Sequence, residues 1–329
     1  VNGDYVYTYG VAGQLSCLEL TTGEPVWSKD LAAEYNVIQN FFGVASNPYV
    51  YKDLLLVMVG GSPKEALEIP RNRLDLVQPN GTAIVAFDKS TGEERYRLGN
   101  DLASYSSMTV RQIDGRPVGL AYLRGGLIAF DPDSGQQLFQ FPWRAGKFES
   151  VNAAVPVTTG NKILLSECYE IGSVLLDIQD DQPVVLRQDR GSLRDLSFRA
   201  HWATPVLIDG YLYGCSGRNS PDCDFRCIRF EDGELQWKKK PRPGERSSVL
   251  HVDDHLVVLG ENGTLQLLRP DPDKQIVLAE ADLSELRDPA DGSALIQPPC
   301  WAAPVLSHGL LYIRGRDRLL CFDLIPFTE

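Results

Sequence analysis

Gly81–Tyr96 reads GTAIVAFDKSTGEERY: a strand, a tight turn and a second strand. Ala83, Val85 and Phe87 alternate with Ile84 and Ala86, so both faces of the first strand are apolar and both need cover. In Asp88-Lys89-Ser90-Thr91-Gly92 the Asp caps its own backbone, and Gly supplies the positive φ that closes the turn. Glu93–Leu98 returns with Tyr96 as its large ring.

The unit recurs along the whole chain, and a recurrence of this kind decides the fold. Aligned on the residue before the turn, the copies are anchored at Glu19, Asp88, Asp131, Asp177, Arg229, Arg269 and Asp323. Two residues before the anchor stand Cys17, Ala86, Ala129, Leu175, Cys227, Leu267 and Cys321. Four after it stand Gly23, Gly92, Gly135 and Gly233, with Asp181 and Asp273 in the weaker copies. Eight after it stand Trp27, Tyr96, Phe139, Val185, Trp237 and Val277. A small residue, a turn glycine and a ring at fixed offsets make one packing device. The ring lies over the other two and locks neighbouring units together, so Trp27, Tyr96, Phe139 and Trp237 are expected to be buried docking residues.

Two more short apolar runs precede each hairpin. Ala203–Gly210 turns into Tyr211–Gly217, Ala302–Gly309 into Leu310–Gly315, Asn47–Asp53 into Leu54–Val59, and Ala153–Gly160 into Lys162–Glu167. Four short strands per unit describe a blade of an all-β propeller.

The segments AFDKSTGEERY and CLELTTGEPVW resemble the tryptophan-docking motif of the PQQ-like repeat propellers. That family includes the quinoprotein alcohol dehydrogenases and the outer-membrane assembly lipoprotein BamB. FFGVASNP, LLLVMVGGSP, ASYSSM, ESVNAAVPV and CWAAPVL most resemble the PQQ-binding-like repeat proteins of planctomycete bacteria. The resemblance covers essentially the whole chain. It implies a periplasmic or extracellular address.

Residues 1–329 are therefore expected to form a single domain, with units at about 1–31, 40–100, 102–143, 148–190, 199–241, 246–283 and 298–324. The first unit lacks its innermost strand and the last lacks its fourth. Propellers of this type use an N-terminal segment to complete the last blade, so eight blades are expected in the natural protein, with an N-terminal piece outside this chain.

The formal charge is −12, from 32 basic and 44 acidic residues. This argues against nucleic-acid binding, which needs a basic footprint. No apolar run approaches the ~18 residues of a membrane-spanning helix. Of seven cysteines, Cys17, Cys227 and Cys321 share the small buried repeat position. Cys215, Cys223 and Cys227 leave open a cross-strand Cys215–Cys227 bridge or a loop disulfide.

The long connections are Gly60–Asn80, Cys215–Asp224 and Ser284–Gln297. They join second to third strands or one unit to the next, and so open on one face, where function gathers. Pro63, Pro70 and Pro79 oppose a long helix in the first, although Lys64–Leu67 suits a single turn. A short helix is expected in Ser284–Gln297. A basic run, Lys238–Pro243, follows the fifth unit.

The innermost strands begin on the same face with Asn40, Phe41, Tyr105, Lys147, Glu149, Asn152, Arg199, His201, Trp202, Arg246, Ser247 and Trp301. Directional polar groups against aromatic walls describe a ligand site in a funnel. They equally describe the wet lining of a central channel. Arg199 and Arg246 would make the funnel locally positive in an acidic protein, and guanidinium suits a carboxylate or phosphate. The expected partner is a protein or extended peptide segment, with an acidic group or small anion near Arg199 and Trp202.

For catalysis, the family's quinone dehydrogenases imply adjacent cysteines against the PQQ ring and a Ca²⁺ held by Glu, Asn and Asp. No Cys-Cys pair occurs, and Glu149 and Asn152 find no matching catalytic Asp. No haem-attachment, zinc-protease, nucleophile-elbow or dinucleotide motif is present. His251 and His255 flank a β-turn rather than sharing a helix face. No catalytic residue, metal or cofactor is therefore expected. The resemblance implies a non-catalytic envelope scaffold of the BamB type. A quinone-dependent enzyme with PQQ and Ca²⁺ is the alternative, and a carbohydrate-binding or carbohydrate-active propeller the second alternative.

Overall fold

The computed structural model describes residues 1–44, 46–219, 221–239 and 245–325. Among the described residues the fold is an all-β propeller with seven antiparallel sheets. The first has three strands, β1 (Tyr5–Tyr9), β2 (Gln14–Glu19) and β3 (Pro25–Asp30). The second has β4 (Tyr49–Tyr51), β5 (Leu54–Met58), β6 (Ile84–Asp88) and β7 (Glu94–Leu98). The third has β8 (Thr109–Ile113), β9 (Arg116–Tyr122), β10 (Gly126–Phe130) and β11 (Gln137–Pro142). The fourth has β12 (Val157–Thr159), β13 (Lys162–Glu167), β14 (Gly172–Gln179) and β15 (Gln182–Gln188). The fifth has β16 (Val206–Ile208), β17 (Tyr211–Ser216), β18 (Asp224–Arg229) and β19 (Leu235–Lys239). The sixth has β20 (Ser247–Val252), β21 (His255–Gly260), β22 (Thr264–Arg269) and β23 (Ile276–Asp282). The seventh again has three, β24 (Val305–Ser307), β25 (Leu310–Arg314) and β26 (Leu319–Asp323).

By contacts the chain divides into two compact units, Val1–Glu167 with Val174–Leu186, and Cys168–Ser173 with Arg187–Glu329. In the first unit the core lies between sheets. Leu56, Met58, Ala86 and Ile84 of the second sheet pack on Ala121, Ile128 and Phe130 of the third. The other face of the second sheet, with Leu55, Val57, Val85 and Phe87, packs on Leu15 and Trp27 of the first. This is why β6 is apolar on both faces: Ile84, Val85, Ala86 and Phe87 are all fully buried. The second unit repeats the plan, with Tyr213, Phe225 and Cys227 against Leu256, Val258 and Leu268.

The docking device is present in detail. Trp27 stands opposite Cys17 in register, Tyr96 opposite Ala86, Phe139 opposite Ala129 and Trp237 opposite Cys227. A β-bulge follows immediately in each pair, and again at Leu267/Leu268. The bulge bends the outer strand and turns its ring toward the next sheet. A Cβ on Gly92 would lie 2.9 Å from the Trp27 ring, and one on Gly135 2.5 Å from Tyr96. Glycine is thus required for close approach as well as for its positive φ. Trp27 Nε1 donates to the Lys89 carbonyl at 3.1 Å and Tyr96 OH to that of Pro132 at 2.6 Å. In the second unit, Trp237 Nε1 donates to Asp271 O at 2.9 Å. Phe139 is buried, whereas Trp27, Tyr96 and Trp237 are half-buried rather than enclosed.

Two weaker copies need correction. Val185 is exposed and docks nothing. Two residues on, Arg187 sends Nε to the Phe230 carbonyl at 3.2 Å, and its Nη1 lies 3.0 Å from where a Cβ on Gly233 would stand. A flat guanidinium with an N–H therefore replaces the indole, supported by the hydroxyls of Ser173 and Ser197. In the sixth sheet the third-to-fourth turn is two residues longer than a fixed offset allows. Asp271 caps Asp273 and Lys274 there, as Asp88 caps Ser90 and Thr91. Ala279, not Val277, consequently stands opposite Leu267.

Other expectations divide. Gly60–Asn80 holds 3₁₀ turns at Lys64–Glu68 and Arg71–Leu76, as its prolines suggest. Ser284–Gln297 has no helix. Asp288 and Gly292 close a turn of the Asp88–Gly92 kind, and Arg287 bridges Ala294. A short helix that the periodicity does not announce, α1 (Leu31–Glu34), is capped by the Asp30 carboxylate. The structure holds all seven cysteines as thiols. Cys215 faces Phe225 and Cys227 faces Tyr213, so their cross-strand bridge is excluded by register. Of the basic run, Lys238 and Lys239 end β19, and 240–243 lie outside the described residues. Among the described residues no helix is long and apolar enough to cross a membrane.

Trp237→Ala should cost about 3 kcal/mol, through the lost packing of its ring on Tyr213 and Phe225 and the lost indole hydrogen bond. Trp237→Phe keeps a ring and should lose only the indole hydrogen bond, about 1 kcal/mol. Urea midpoints with unchanged m-values test both. A Trp237→Ala loss below that of Trp237→Phe would show that the ring is not what holds the sheets.

Candidate functional site

Among the candidate residues only Ser247 starts a strand. The others lie in irregular segments just ahead of short first strands, where the backbone is not committed to a ladder. Glu149 and Asn152, expected on an inner strand, likewise precede β12. Asn40, Phe41, Tyr105, Lys147, Glu149 and Asn152 belong to the first unit, and Arg199, His201, Trp202, Arg246, Ser247 and Trp301 to the second.

In the first unit, Gly43 N bonds Asn40 O at 3.0 Å and closes a turn that throws Phe41 and Phe42 outward. Phe42 is 74% exposed, the most exposed ring of this group. Phe41 meets Phe148 edge-on at 5.5 Å, and Phe42 lies 5.9 Å from Tyr105. Phe42 N donates to Tyr105 OH at 2.8 Å. Tyr105 N in turn donates to the backbone carbonyl of Asn152 at 3.0 Å. Asn152 is buried, and its amide nitrogen donates to Leu123 O at 2.8 Å and Trp143 O at 3.2 Å. Through its amide nitrogen Asn152 braces the aromatic turn. Lys147 and Glu149 sit in the turn before it, where Ser150 N bonds Lys147 O.

The second unit gathers its residues more tightly. The Arg246 guanidinium lies 4.4 Å from the Trp202 ring centre and 5.7 Å from that of Trp301. Its Nε and Nη2 donate to Glu261 at 3.0 and 2.5 Å. Trp301 Nε1 donates to the same carboxylate at 3.0 Å. Burial raises the Glu261 pKa, but these hydrogen bonds outweigh it and hold the carboxyl below its ordinary range. His201 is wedged between Tyr169 and Trp202, with ring centres 5.9 and 5.3 Å away, and Arg218 covers Tyr169 at 4.5 Å. Among the described residues, His201 Nδ1, Trp202 Nε1 and the buried Ser247 hydroxyl have no hydrogen-bond partner. All three residues line one cavity of about 10 Å³.

Arg199 corrects the electrostatic expectation. Its side chain is 4% exposed and paired through two nitrogens with Asp222, both at 2.8 Å. That bond holds Asp222 below its ordinary pKa. With Arg246 engaged by Glu261, neither guanidinium offers uncompensated charge near Trp202. Sequence reasoning missed Tyr169, Arg218 and Glu261. Each falls within three residues of the end of a second strand, β13, β17 or β21. The signal was therefore positional, and legible by aligning those strand ends as the turns were aligned.

Among the described residues no three His, Cys, Asp or Glu groups gather as metal ligands. Cys215 and Cys223 are hydrogen-bonded neighbours, but both are buried and non-adjacent in sequence. His251 and His255 flank the Asp253–Asp254 turn, as expected.

Burial, with Arg246 and Arg218 adding, pushes the His201 pKa down to about 4. The unfolded chain therefore takes up a proton near pH 6.5 that the folded chain refuses until about 4. The contribution of this group is full above pH 6.5 and falls as the pH drops toward 4, by on the order of 2–3 kcal/mol. Asp101, raised by burial to about 6, has the opposite slope below that pH. The difference between wild type and His201→Gln isolates the histidine: the gap in unfolding free energy should shrink from pH 7 to pH 4.5, and a pH-independent gap would refute it.

No curated protein matches the chain by sequence. A family model described as outer membrane protein assembly factor BamB matches residues 1–192 and 76–276. BamB from Moraxella catarrhalis superposes with a TM-score of 0.62 at 13% identity, over 97% of this chain and 79% of that one. The computationally designed Ika8 protein superposes at 0.59 and 12% identity, over 98% and 82%. The quinohemoprotein alcohol dehydrogenase of Comamonas testosteroni superposes at 0.58 and 10% identity, over 94% of this chain and 61% of that one. At such identities the likeness is one of fold. The family match, spanning well over half of the chain, is one of sequence pattern as well, and the chain belongs to the PQQ-like repeat family of β-propellers that the BamB assembly factor represents.

Proposed function

We propose that the protein is a non-catalytic scaffold of the cell envelope, periplasmic or extracellular, that binds an extended protein segment through rings presented ahead of its first strands. The observation that carries this reading is Trp301. It is 55% exposed, yet oriented by its bond to Glu261 and backed by Arg246. An exposed indole held in one orientation loses little freedom when a partner covers it, and such residues dominate protein interfaces. Trp301, Arg246 and Glu261 are tied to one another, which holds the exposed ring as a contact surface. The BamB family match and fold support the same reading.

The partner is to be sought in an envelope fraction with immobilised protein, and its affinity then measured for Trp301→Ala. The truncation should weaken binding at least about tenfold, the usual loss at an interface anchor, and leave the urea midpoint unchanged. Partner binding that this variant does not weaken would overturn the proposal. So would dye-linked alcohol oxidation by protein supplied with PQQ and Ca²⁺, which would favour the quinoprotein alternative.

A further inference from the structure

The first unit contains a cation that its own fold leaves incompletely satisfied. Arg124, just beyond β9, is 6% exposed. Its Nη2 donates to the Phe148 carbonyl at 3.3 Å, while Nη1 is buried with no partner among the described residues. The nearest buried acid does not complete it. Asp101 directs its carboxylate oxygens to the backbone N–H groups of Leu102 and Gly125, at 2.7 and 2.8 Å. Burial pushes the Arg124 pKa down to about 10, and the neighbouring Arg144 adds to the fall.

A second donor points to the same place. Asn40 uses its side-chain oxygen to accept from Phe41 N at 2.9 Å, which fixes the orientation of the amide. Its Nδ2 is buried and has no partner among the described residues. Asn40, Gly43, Leu74, Ser104 and Arg124 line one cavity of about 10 Å³. That is room for one water-sized group. Two unmet N–H donors, one of them charged, form a site for an anionic oxygen. The space holds a single oxygen, and the one charged donor beside it balances a monoanionic carboxylate rather than a dianionic phosphate or sulfate. At its edge is the Asn40–Gly43 turn, with Phe41 and Phe42 exposed.

We propose that this cavity is a carboxylate-binding subsite, in which Arg124 Nη1 and Asn40 Nδ2 receive one oxygen while the chain bearing the carboxylate lies against Phe41 and Phe42. The inference stands on the first unit alone, and its ligand class is independent of whether Trp301 contacts a partner. The carboxylate is a free monocarboxylate, an Asp or Glu side chain, or a chain terminus. The three share the chemistry and differ in what surrounds it.

The test is thermal stability and calorimetric titration of the full chain with sodium acetate, against sodium chloride at equal ionic strength. Two pentapeptides separate the sources: one with blocked ends and a central Glu, the other with Gln there and a free C-terminal carboxylate. Acetate should raise the melting temperature more than chloride does, and at least one peptide should bind more tightly than acetate. Arg124→Gln should abolish the response. Because that variant risks misfolding, Asn40→Asp is the decisive one. It keeps the oxygen that caps Phe41 and places a carboxylate beside Arg124, so it should raise the melting temperature without ligand and lose the acetate response. A wild-type response no greater than to chloride would show an adventitious ion only and overturn the proposal. An undiminished acetate response in Asn40→Asp would overturn it equally.

Discussion

Each sheet is a few strands wide and has little interior of its own. Its stability depends on a contact at its rim, where a flat group from the outer strand lies on the turn of the next sheet and gives an N–H or O–H to a carbonyl there. Trp27 and Tyr96 do this in the first unit and Trp237 in the second. The arrangement satisfies a buried polar group, fills the space above a residue without a side chain, and sets the spacing of neighbouring sheets, all at once. Arg187 shows what the contact requires. It has no aromatic ring, but it is planar, carries an N–H and reaches the Phe230 carbonyl. Planarity is the common requirement, since Phe139 docks without a donor, and apolar character alone is not enough, since Val185 and Val277 stay outside.

A scaffold fixed at its rim leaves its inner ends to vary. First strands of three residues recur in four sheets, and the chain ahead of them is irregular. Those segments carry the aromatic and charged groups, and the ends of the second strands supply the partners that orient them. Glu261 on Arg246 and Trp301 is one example, and the Leu123 carbonyl that braces Asn152 is another. Function placed on loops over a rigid frame is the usual division of labour.

The alternation of β6, the glycine of each tight turn and the small residue opposite each ring were legible because each is a local constraint. Residues two or four positions apart in sequence decide them. The misreadings share a cause of the opposite kind. Val185 and Val277 were assigned by counting from an anchor, and counting fails when a turn gains two residues or the docking group is an arginine. Arg199 and Arg246 were recognisable as directional groups, but their neutralising partners, Asp222 and Glu261, come from other segments. Arg124 carried no signal at all: its interest lies in a hydrogen bond that is not made, which only three-dimensional geometry reveals.

The thiols give the fold a direction in time. Six of the seven cysteines are buried, two of them directly beneath docking rings. While the sheets stay docked, those sulfurs meet no oxidant. Once the chain opens, seven sulfurs are exposed together, and in an oxidising medium thiolates attack and exchange until some pairing is trapped. Apart from Cys215 and Cys223, which are neighbours in the folded state, a disulfide joining cysteines of different sheets would oppose refolding. Such a protein would persist according to how slowly it opens rather than how favourably it closes, and its lifetime would be a matter of kinetics.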